Sequence, residues 1–235
     1  MTAVIFTESY NFQVPDSVFT SESLHELVFE LAYEAISPRS VNLPRLKMLT
    51  FKCIEIKDGV MEKLLSGLPS LEEMVLHDCI LDSGCISSNT LKHLVPDGCH
   101  NETTYPPEIL ISIPSLASLE MNIRDMGILK FKRLESLVKA HIHFEEFSDE
   151  EPLFLTALSN VTSLELVLSI SAQMDMKALE RKITGFPDFH NLKTLKIGGW
   201  CMIHDFNLVA RFLLRAPNLK NLTLLHREVC QYEVL

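Results

Sequence analysis

Three features that would point to common functional classes are missing from the 235-residue sequence. Basic residues are in the minority, with 21 Lys and Arg against 31 Asp and Glu, and the net charge of −10 opposes binding to a phosphate backbone. No apolar stretch approaches the roughly 18 residues of a membrane span, and the first residues lack the cationic start of a signal peptide. We therefore expect no nucleic-acid partner and no membrane association, with the cytoplasm or nucleus as the compartment.

Signatures of catalysis and of metal binding are missing as well. The sequence has no GxGxxG or Walker-type loop, no HExxH and no GxSxG. Its six cysteines include no CxxC pair, so we expect free, mostly buried thiols in a reducing compartment. The expected protein is not an enzyme and has no catalytic residue, no cofactor and no metal.

Leucine is abundant, with 37 of the 235 residues, and such enrichment calls for a search for repeats. A motif with apolar residues at its first, fourth and sixth positions begins at residues 24, 46, 71, 91, 116, 137, 161, 192 and 219. The intervals of 20 to 31 residues fall mostly within the period of leucine-rich repeats, about 20–29 residues. Several copies follow a leader such as Leu43-Pro44 or Leu68-Pro69, which predicts an extended start of the repeat.

The repeats predict an α/β leucine-rich-repeat solenoid, with a curved parallel sheet on its concave face and helices and irregular returns on its convex face. Helices are expected over 57–66, 175–183 and 205–214, and a polar, proline-containing loop over 96–107. The last helix is expected to bury Phe206, Val209, Phe212 and Leu213. We assign residues 1–235 to a single domain of about nine repeats, truncated at both ends because neither end offers a polar cap.

Strand alternation divides the side chains of each copy between two faces. Positions 1, 4 and 6 are expected in the core, whereas positions 3, 5 and 7 form the concave face. Cys79 and Cys99 occupy the Asn/Cys position of the longer repeat consensus, so both are expected to be buried and to hydrogen-bond turn backbone.

Several phrases together resemble the plant F-box/LRR proteins, particularly the group that often carries an FBD domain. They begin at Val14, Leu43, Leu68, Leu134, Phe189 and Ala216, and the likeness covers roughly residues 10–226. In that family the F-box docks a Skp-type adaptor of a cullin ubiquitin ligase, and the repeats select the protein to be ubiquitinated. Neither an F-box nor an FBD module is recognised in this sequence. The resemblance therefore implies a Skp-type adaptor as partner only if an F-box exists outside this chain.

Three hypotheses about function remain. The first is a noncatalytic protein–protein interaction domain that resembles the substrate-recognition repeats of a plant F-box ubiquitin-ligase receptor. The second is a truncated paralogue or decoy with no ligase role. The third is the repeat half of an immune-type receptor, which is less favoured because the Leu-Pro leaders and the Leu-Val-Lys-Ala phrase at 137–140 resemble the F-box group.

The concave-face positions supply the candidate contacts for an unknown protein ligand. They are His77, His93, Glu120, Asn122, Lys139, His141, His143, Glu165 and Lys196. This surface is mixed in charge and contains no arginine, so it suits a protein or peptide better than an anion. His141 and His143, flanked by Glu120 and Glu165, would also allow a metal site, but a solvated polar row is the interpretation that we favour.

Overall fold

The structure is a computed structural model that describes residues 1–7, 12, 14–82, 85–101, 108–123, 128–132, 134–144, 154–168, 187–200 and 206–226. The chain divides into two compact units, Met1–Leu137 and Val138–Leu235. The helix predicted over 175–183 and Asp205, the first residue of the helix predicted over 205–214, lie outside the described residues. Across the described ranges, no helix is both long enough and apolar enough to cross a membrane.

The first unit is built mainly from short parallel strands. They are β1 (Thr2–Phe6), β2 (Glu26–Ala35), β3 (Met48–Ile56), β4 (Glu73–His77), β5 (Ile80–Leu81), β6 (Cys85–Ser87), β7 (His93–Asp97), β8 (Glu108–Ser112), β9 (Ser118–Ile123) and β10 (Ile128–Lys132). The main sheet has the order β1–β2–β3–β4–β7–β9, and β5 pairs with the end of β3. Each repeat copy thus contributes one strand, which lies beside the strand of the preceding copy.

The repeat motif places its apolar residues in the core, as strand alternation predicts. In the copy that begins at Leu71, the motif residues Leu71, Met74 and Leu76 are fully buried, whereas Glu73 and Val75 between them are partly exposed. The motif residues are likewise buried in every copy from residue 24 to residue 197. Each such side chain stabilises the fold by about 1.5–3 kcal/mol, and the predicted core positions are confirmed in these copies.

Aromatic rings fill the core beneath the first strands. A 3-10 turn over Asp16–Thr20 buries Phe19, whose ring stacks on that of Phe29 with centroids 5.5 Å apart. The Phe29 ring in turn contacts that of Phe51 at 5.6 Å. Equivalent motif positions therefore pack on each other from one repeat to the next.

Each leader forms a turn immediately before its strand. The amide of Leu71 donates to the carbonyl of Leu68 at 3.2 Å, and the Ser70 hydroxyl donates to the carbonyl of Pro44 in the preceding repeat at 2.7 Å. Equivalent turn-closing bonds precede the motifs at 46, 116, 137, 161, 192 and 219. Proline has the fixed φ that suits the second position of such a turn, so the leaders bend the chain where an extended start was predicted.

One predicted helix of the first unit is present. It is α1 (Val60–Ser66), which begins three residues later than the predicted range 57–66. Met61 and Leu64 are its buried residues, so this return segment packs one face of a short helix onto the core.

Other return segments of the first unit form strands where helix or irregular structure was expected. The strands β10, β8 and β6 form a second, three-stranded parallel sheet in that order. In β8, Ile109 and Ile111 are fully buried, and Leu110 between them is partly exposed. This period of two is the pattern of a strand, and the helix-based expectation overlooked it.

The prediction of a loop over 96–107 is wrong for its first residues, which belong to a strand. Pro96 lies within β7, is buried, and is in register with β4. The opposite edge of β7 pairs with β9 only at His93 and Leu94. Pro96 has no amide hydrogen to donate, and it lies after the last residue of β7 that pairs with β9. Residues 102–107 lie outside the described residues.

The second unit also has its strands in parallel and in sequence order. They are β11 (Lys139–Phe144), β12 (Ser163–Leu168), β13 (Thr194–Trp200) and β14 (Asn221–His226). The helix α2 (Phe154–Ala157) precedes β12, and α3 (Phe206–Arg215) precedes β14. The chain is thus a parallel-sheet solenoid with few helices, which confirms the predicted leucine-rich-repeat fold class.

The orientation of α3 differs from the prediction at Leu213, and the predicted burial of the Phe206 side chain lies outside what the structure describes. Val209 and Phe212 are buried, and the Phe212 ring contacts that of Phe189 at 5.3 Å. Leu213, however, is 53% exposed. Ala216 directly after the helix is buried, so the packed side follows residues 209, 212 and 216 and leaves Leu213 at its margin.

The last strand departs from the burial pattern of the preceding copies. Leu222 and Leu224 are in register with Leu195 and Ile197 of β13, which are fully buried. The two leucines of β14 are nevertheless 38% and 37% exposed. The apolar motif therefore continues into β14 without the burial that it has elsewhere.

Candidate functional site

We call the side of each sheet that carries strand positions 3, 5 and 7 the open face. On β1, β2, β3, β4 and β7 of the first unit these positions lie in register from strand to strand and form three rows. The middle row, at position 5, is almost wholly aliphatic, and we call it the valine row. Its members are Val4, Val28, Thr50, Val75 and Val95. Val4 is 67% exposed and the others are partly exposed, so this apolar row is accessible to solvent.

Polar rows run along both sides of the valine row. The position-3 row consists of Thr2, Glu26, Met48, Glu73 and His93, and the position-7 row consists of Phe6, Glu30, Lys52, His77 and Asp97. Two contacts join neighbouring strands within the position-7 row. Lys52 Nζ lies 3.3 Å from Glu30 Oε2, and His77 Nδ1 lies 2.9 Å from Asp97 Oδ2.

His77 is held by carboxylates on two sides. Besides its contact with Asp97, its Nε2 lies 3.3 Å from Oδ2 of Asp78. The backbone reinforces this arrangement, because the amide of Asp78 donates to the carbonyl of Asp97 at 2.8 Å. The imidazole ring therefore has a fixed orientation between two adjacent repeats.

A left-handed backbone conformation follows the position-7 residue in three neighbouring repeats. The residues concerned are Cys53 (φ 51°), Asp78 (φ 49°) and Gly98 (φ 63°). A side chain at Gly98 would overlap the carboxylate of Asp78 and would have to displace it, and glycine also adopts this conformation most readily. Tyr33 has the same conformation (φ 57°) near the end of β2, within the stretch from Glu30 to Glu34 where the register with β3 shifts.

Tyr33, Asp78 and Gly98 of these turns line a cavity of about 470 Å3 at the carboxyl ends of the strands. Its polar lining includes Tyr33, His77, Asp78, Asp97 and His100, together with Asn122 of β9. Tyr33 is 52% exposed, so its ring is available at the rim. Among the described residues that line it, none is Lys or Arg, and the cavity can therefore accept hydrogen-bond donors and positive charge.

The thiols behind this cavity have structural surroundings. Cys79 and Cys99 are fully buried, as predicted, and donate to the backbone carbonyls of Phe51 at 3.5 Å and Leu76 at 3.6 Å. These carbonyls belong to strands β3 and β4, whereas turn backbone was predicted as the acceptor. The hydrogen bond to Cys79 and burial both raise the pKa of the Cys99 thiol. Burial also raises the pKa of Cys53. A raised pKa leaves less thiolate at neutral pH and therefore slows the reactions of these two thiols.

The second unit has a charged row at position 5 of its open face. His141, Glu165 and Lys196 are in register on β11, β12 and β13. Glu165 Oε1 lies 2.5 Å from Lys196 Nζ and 3.9 Å from His141 Nε2. Because the ammonium of Lys196 neutralises Glu165, this carboxylate is a poor ligand for a metal ion. The residues that the structure describes contain no group of three side chains able to hold one.

The structure brings together some of the predicted contact residues and adds others. His77 and Asn122 line one cavity, and His141, Glu165 and Lys196 form one row. The remaining members of the predicted set are His93 and Glu120, exposed on β7 and β9, and Lys139 and His143, on β11. The predicted contact set leaves out the valine row, although alternation already places its members Thr50, Val75 and Val95 on the concave face. The cavity residues Tyr33 and Asp78 were missed, and the register shift at Tyr33 has no recognisable signal in the sequence.

Comparisons with known proteins agree on one family. The family described as "FBD-associated F-box protein At5g56370, LRR repeats" matches residues 3–121. An F-box/FBD/LRR-repeat protein of Arabidopsis thaliana is 28% identical over 226 residues, which cover 93% of this chain and 50% of the relative. An F-box/LRR-repeat protein of the same plant is 28% identical over 238 residues, or 90% of this chain and 59% of the relative. The chain thus spans about half the length of the curated relatives that it matches. No solved structure matches it significantly.

Proposed function

The chain belongs to the plant family of leucine-rich repeats found in FBD-associated F-box proteins, and from that membership we propose that its open face recognises another protein. The observation that supports this most directly is the register of the open face. Side chains at three positions of successive strands reach solvent in continuous rows. Solenoids use such extended faces to bind partners over many weak contacts.

The finer proposal concerns what the partner is and where it is bound. The names of the relatives combine an F-box with leucine-rich repeats. We propose that the repeats of this chain select a protein for ubiquitination in the cytoplasm or nucleus. A Skp-type adaptor would be the partner of an F-box in a longer protein and not of the repeats. The proposed contacts are the predicted set from His77 to Lys196, together with the valine row.

Site-specific photo-crosslinking in a plant cell extract tests this proposal. A crosslinking amino acid would replace Met48, Thr50 or Thr194 on the open face, and Glu62 on α1 provides an exposed control position. We expect the same protein, identified by mass spectrometry, to be captured from open-face positions and not from position 62. Capture confined to position 62, or no capture from any open-face position, would contradict the proposal.

A further inference from the structure

The valine row has the dimensions of one side of a short helix. It crosses β1, β2, β3, β4 and β7, and neighbouring strands lie about 4.8 Å apart. Four such intervals extend over about 19 Å, which an α-helix covers with about 13 residues at 1.5 Å per residue. The row is therefore long enough to receive the apolar side of a helix of three to four turns.

Carboxylates border the valine row on both sides. Positions two residues apart along a strand are separated by about 7 Å, so the polar rows lie at the distance that the shoulders of a docked helix would reach. Glu26 and Glu73 lie on one side, and Glu30, Asp97 and the adjoining Asp78 lie on the other. Lys52 is the single Lys or Arg in the three described rows. Five carboxylates against one ammonium leave this surface with a net charge of −4 when the histidines are neutral.

Basic residues next to these rows are already engaged. Lys47 and Lys92, at the beginnings of their strands, both contact the carboxylate of Glu72, at 3.2 and 3.0 Å. Lys52 contacts Glu30. Glu26 accepts a hydrogen bond from the Thr2 hydroxyl, and neither Glu26 nor Glu73 forms an ion pair with a lysine or arginine among the described residues. When Asp78 is counted with the position-7 row and the histidines are neutral, each border thus carries a net charge of −2.

The cavity at the carboxyl ends of the strands lies beside the position-7 row and offers a binding site for one basic side chain of a docked helix. Asp78 and Asp97 offer carboxylate oxygens, and the half-exposed Tyr33 offers an aromatic ring. Carboxylates and aromatic faces are the groups that bind ammonium and guanidinium ions. The cavity of about 470 Å3 is large enough for the end of a Lys or Arg side chain.

We propose that the open face of the first unit docks a basic amphipathic helix of the partner protein, with aliphatic side chains on the valine row and Lys or Arg side chains on the bordering carboxylates and in the cavity. This inference rests on the proposed function and specifies its partner. A helix fits better than an extended segment, because a helix presents an apolar stripe with flanking side chains on both shoulders. An extended segment turns alternate side chains away from the sheet.

Binding of synthetic peptides to the full chain tests the proposal. The probe is a fluorescent helix of Leu and Lys with leucines spaced at i, i+3, i+4 and i+7. One comparison peptide has Glu in place of every Lys, and a second has the same composition as the probe in a non-amphipathic order. Fluorescence anisotropy should show that the probe binds at least about tenfold more tightly than either comparison peptide, with affinity that falls as salt is added.

Matched variants locate the binding surface. Combining Glu73→Gln with Asp78→Asn should weaken probe binding by about tenfold, because both charges are lost while asparagine still accepts the left-handed conformation. Glu62→Gln removes one exposed carboxylate from α1, outside the three rows, and should leave binding unchanged. If circular dichroism shows that Asp78→Asn alters the thermal unfolding midpoint, the double variant is replaced by Glu26→Gln combined with Glu73→Gln. This second double variant removes two carboxylates of the position-3 row and should likewise weaken probe binding.

Three outcomes would overturn the inference: equal binding of the Lys and Glu helices, equal binding of the non-amphipathic peptide, or equal losses in the control and border variants. These outcomes leave the proposed function intact when crosslinking from the open face still captures a partner. Failure of all open-face crosslinks would instead contradict the proposed function itself. Peptide binding therefore tests the basic-helix inference, and crosslinking separately tests the proposed function.

Discussion

Leu119 and Glu120 show how strongly the effect of a side chain depends on its strand position. Leu119 is fully buried, and its neighbour Glu120 is exposed. We expect Leu119→Ala to lower the free energy of unfolding by about 2–5 kcal/mol because it leaves a cavity. Glu120→Ala should lower it by less than about 0.5 kcal/mol. Urea denaturation of both variants measures the difference, and equal losses would mean that the core and open faces are interchanged.

The cysteines provide a second comparison between residues, this time of reactivity. Cys85 is exposed, and burial raises the pKa of Cys53. Only the thiolate is alkylated, so a raised pKa means slower reaction at neutral pH and a rate that increases at higher pH than usual. We expect iodoacetamide at about pH 7.5 to modify Cys85 first, Cys53 more slowly, and the buried Cys79 and Cys99 last.

Mass spectrometry of the alkylated chain at successive times measures these rates. The same experiment in urea is the control, because unfolding should remove the protection of Cys53, Cys79 and Cys99. Rapid modification of Cys99 in the folded chain would contradict the hydrogen-bonded, buried environment that the structure gives it.

Among the elements, the turn that follows β7 depends on one glycine. Gly98 has a left-handed backbone, and a side chain there would overlap the Asp78 carboxylate. Gly98→Ala should therefore destabilise the fold by about 1–3 kcal/mol. In an Asp78→Gly background the overlap is absent, so the penalty should be smaller. Thermal unfolding of the four proteins in this double-mutant cycle measures the coupling, and purely additive effects would exclude the contact.

The strands of the main sheets could be predicted from the sequence because their signal is local. Apolar residues at positions 1, 4 and 6 fix which side of each strand is buried, as Leu71, Met74 and Leu76 illustrate. The second small sheet was missed, although Ile109 and Ile111 alternate as in a strand, because the helical returns of typical repeats dominated the interpretation. Pro96 was misplaced because its acceptability depends on where the ladder to β9 ends, which no local pattern reveals.

The candidate site was less predictable than the fold. His77 could be placed on the open face by counting along the repeat, but its two carboxylate contacts depend on the left-handed turn at Asp78. The position of Tyr33 depends on a register shift between β2 and β3. Such irregularities arise from packing between repeats, and the spacing of the motif within a single repeat contains no information about them.

For the molecule as a whole, stability in a solenoid is a sum over contacts between neighbouring repeats. Ile197 and Leu224 occupy the same motif position on adjacent strands, yet Ile197 is fully buried and Leu224 is 37% exposed. Ile197→Ala should destabilise the chain by about 2–5 kcal/mol, whereas Leu224→Ala should cost about 1 kcal/mol or less. Urea unfolding compares the two variants, and similar losses would show that β14 is covered in solution.

The second unit provides the last prediction, which concerns binding by the complete chain. His141, Glu165 and Lys196 form one charged row whose side chains are 40%, 28% and 37% exposed. Partly buried charges of this kind contribute to binding when a partner excludes water from them. We expect the combined His141→Ala and Glu165→Ala variant to weaken capture of the crosslinked partner by about tenfold. Exposed ion pairs contribute little to folding, so the free energy of unfolding should change by about 1 kcal/mol or less.

Titration of the partner identified by crosslinking against wild-type and variant chains measures this loss. The matched control is Leu214→Ser on α3, where the side chain is 82% exposed and lies outside the open face. It should leave capture unchanged, because α3 packs on the core through Val209 and Phe212. Capture that survives the double change but is lost with Leu214→Ser would place the binding surface on α3, and the charged row would then have no part in recognition.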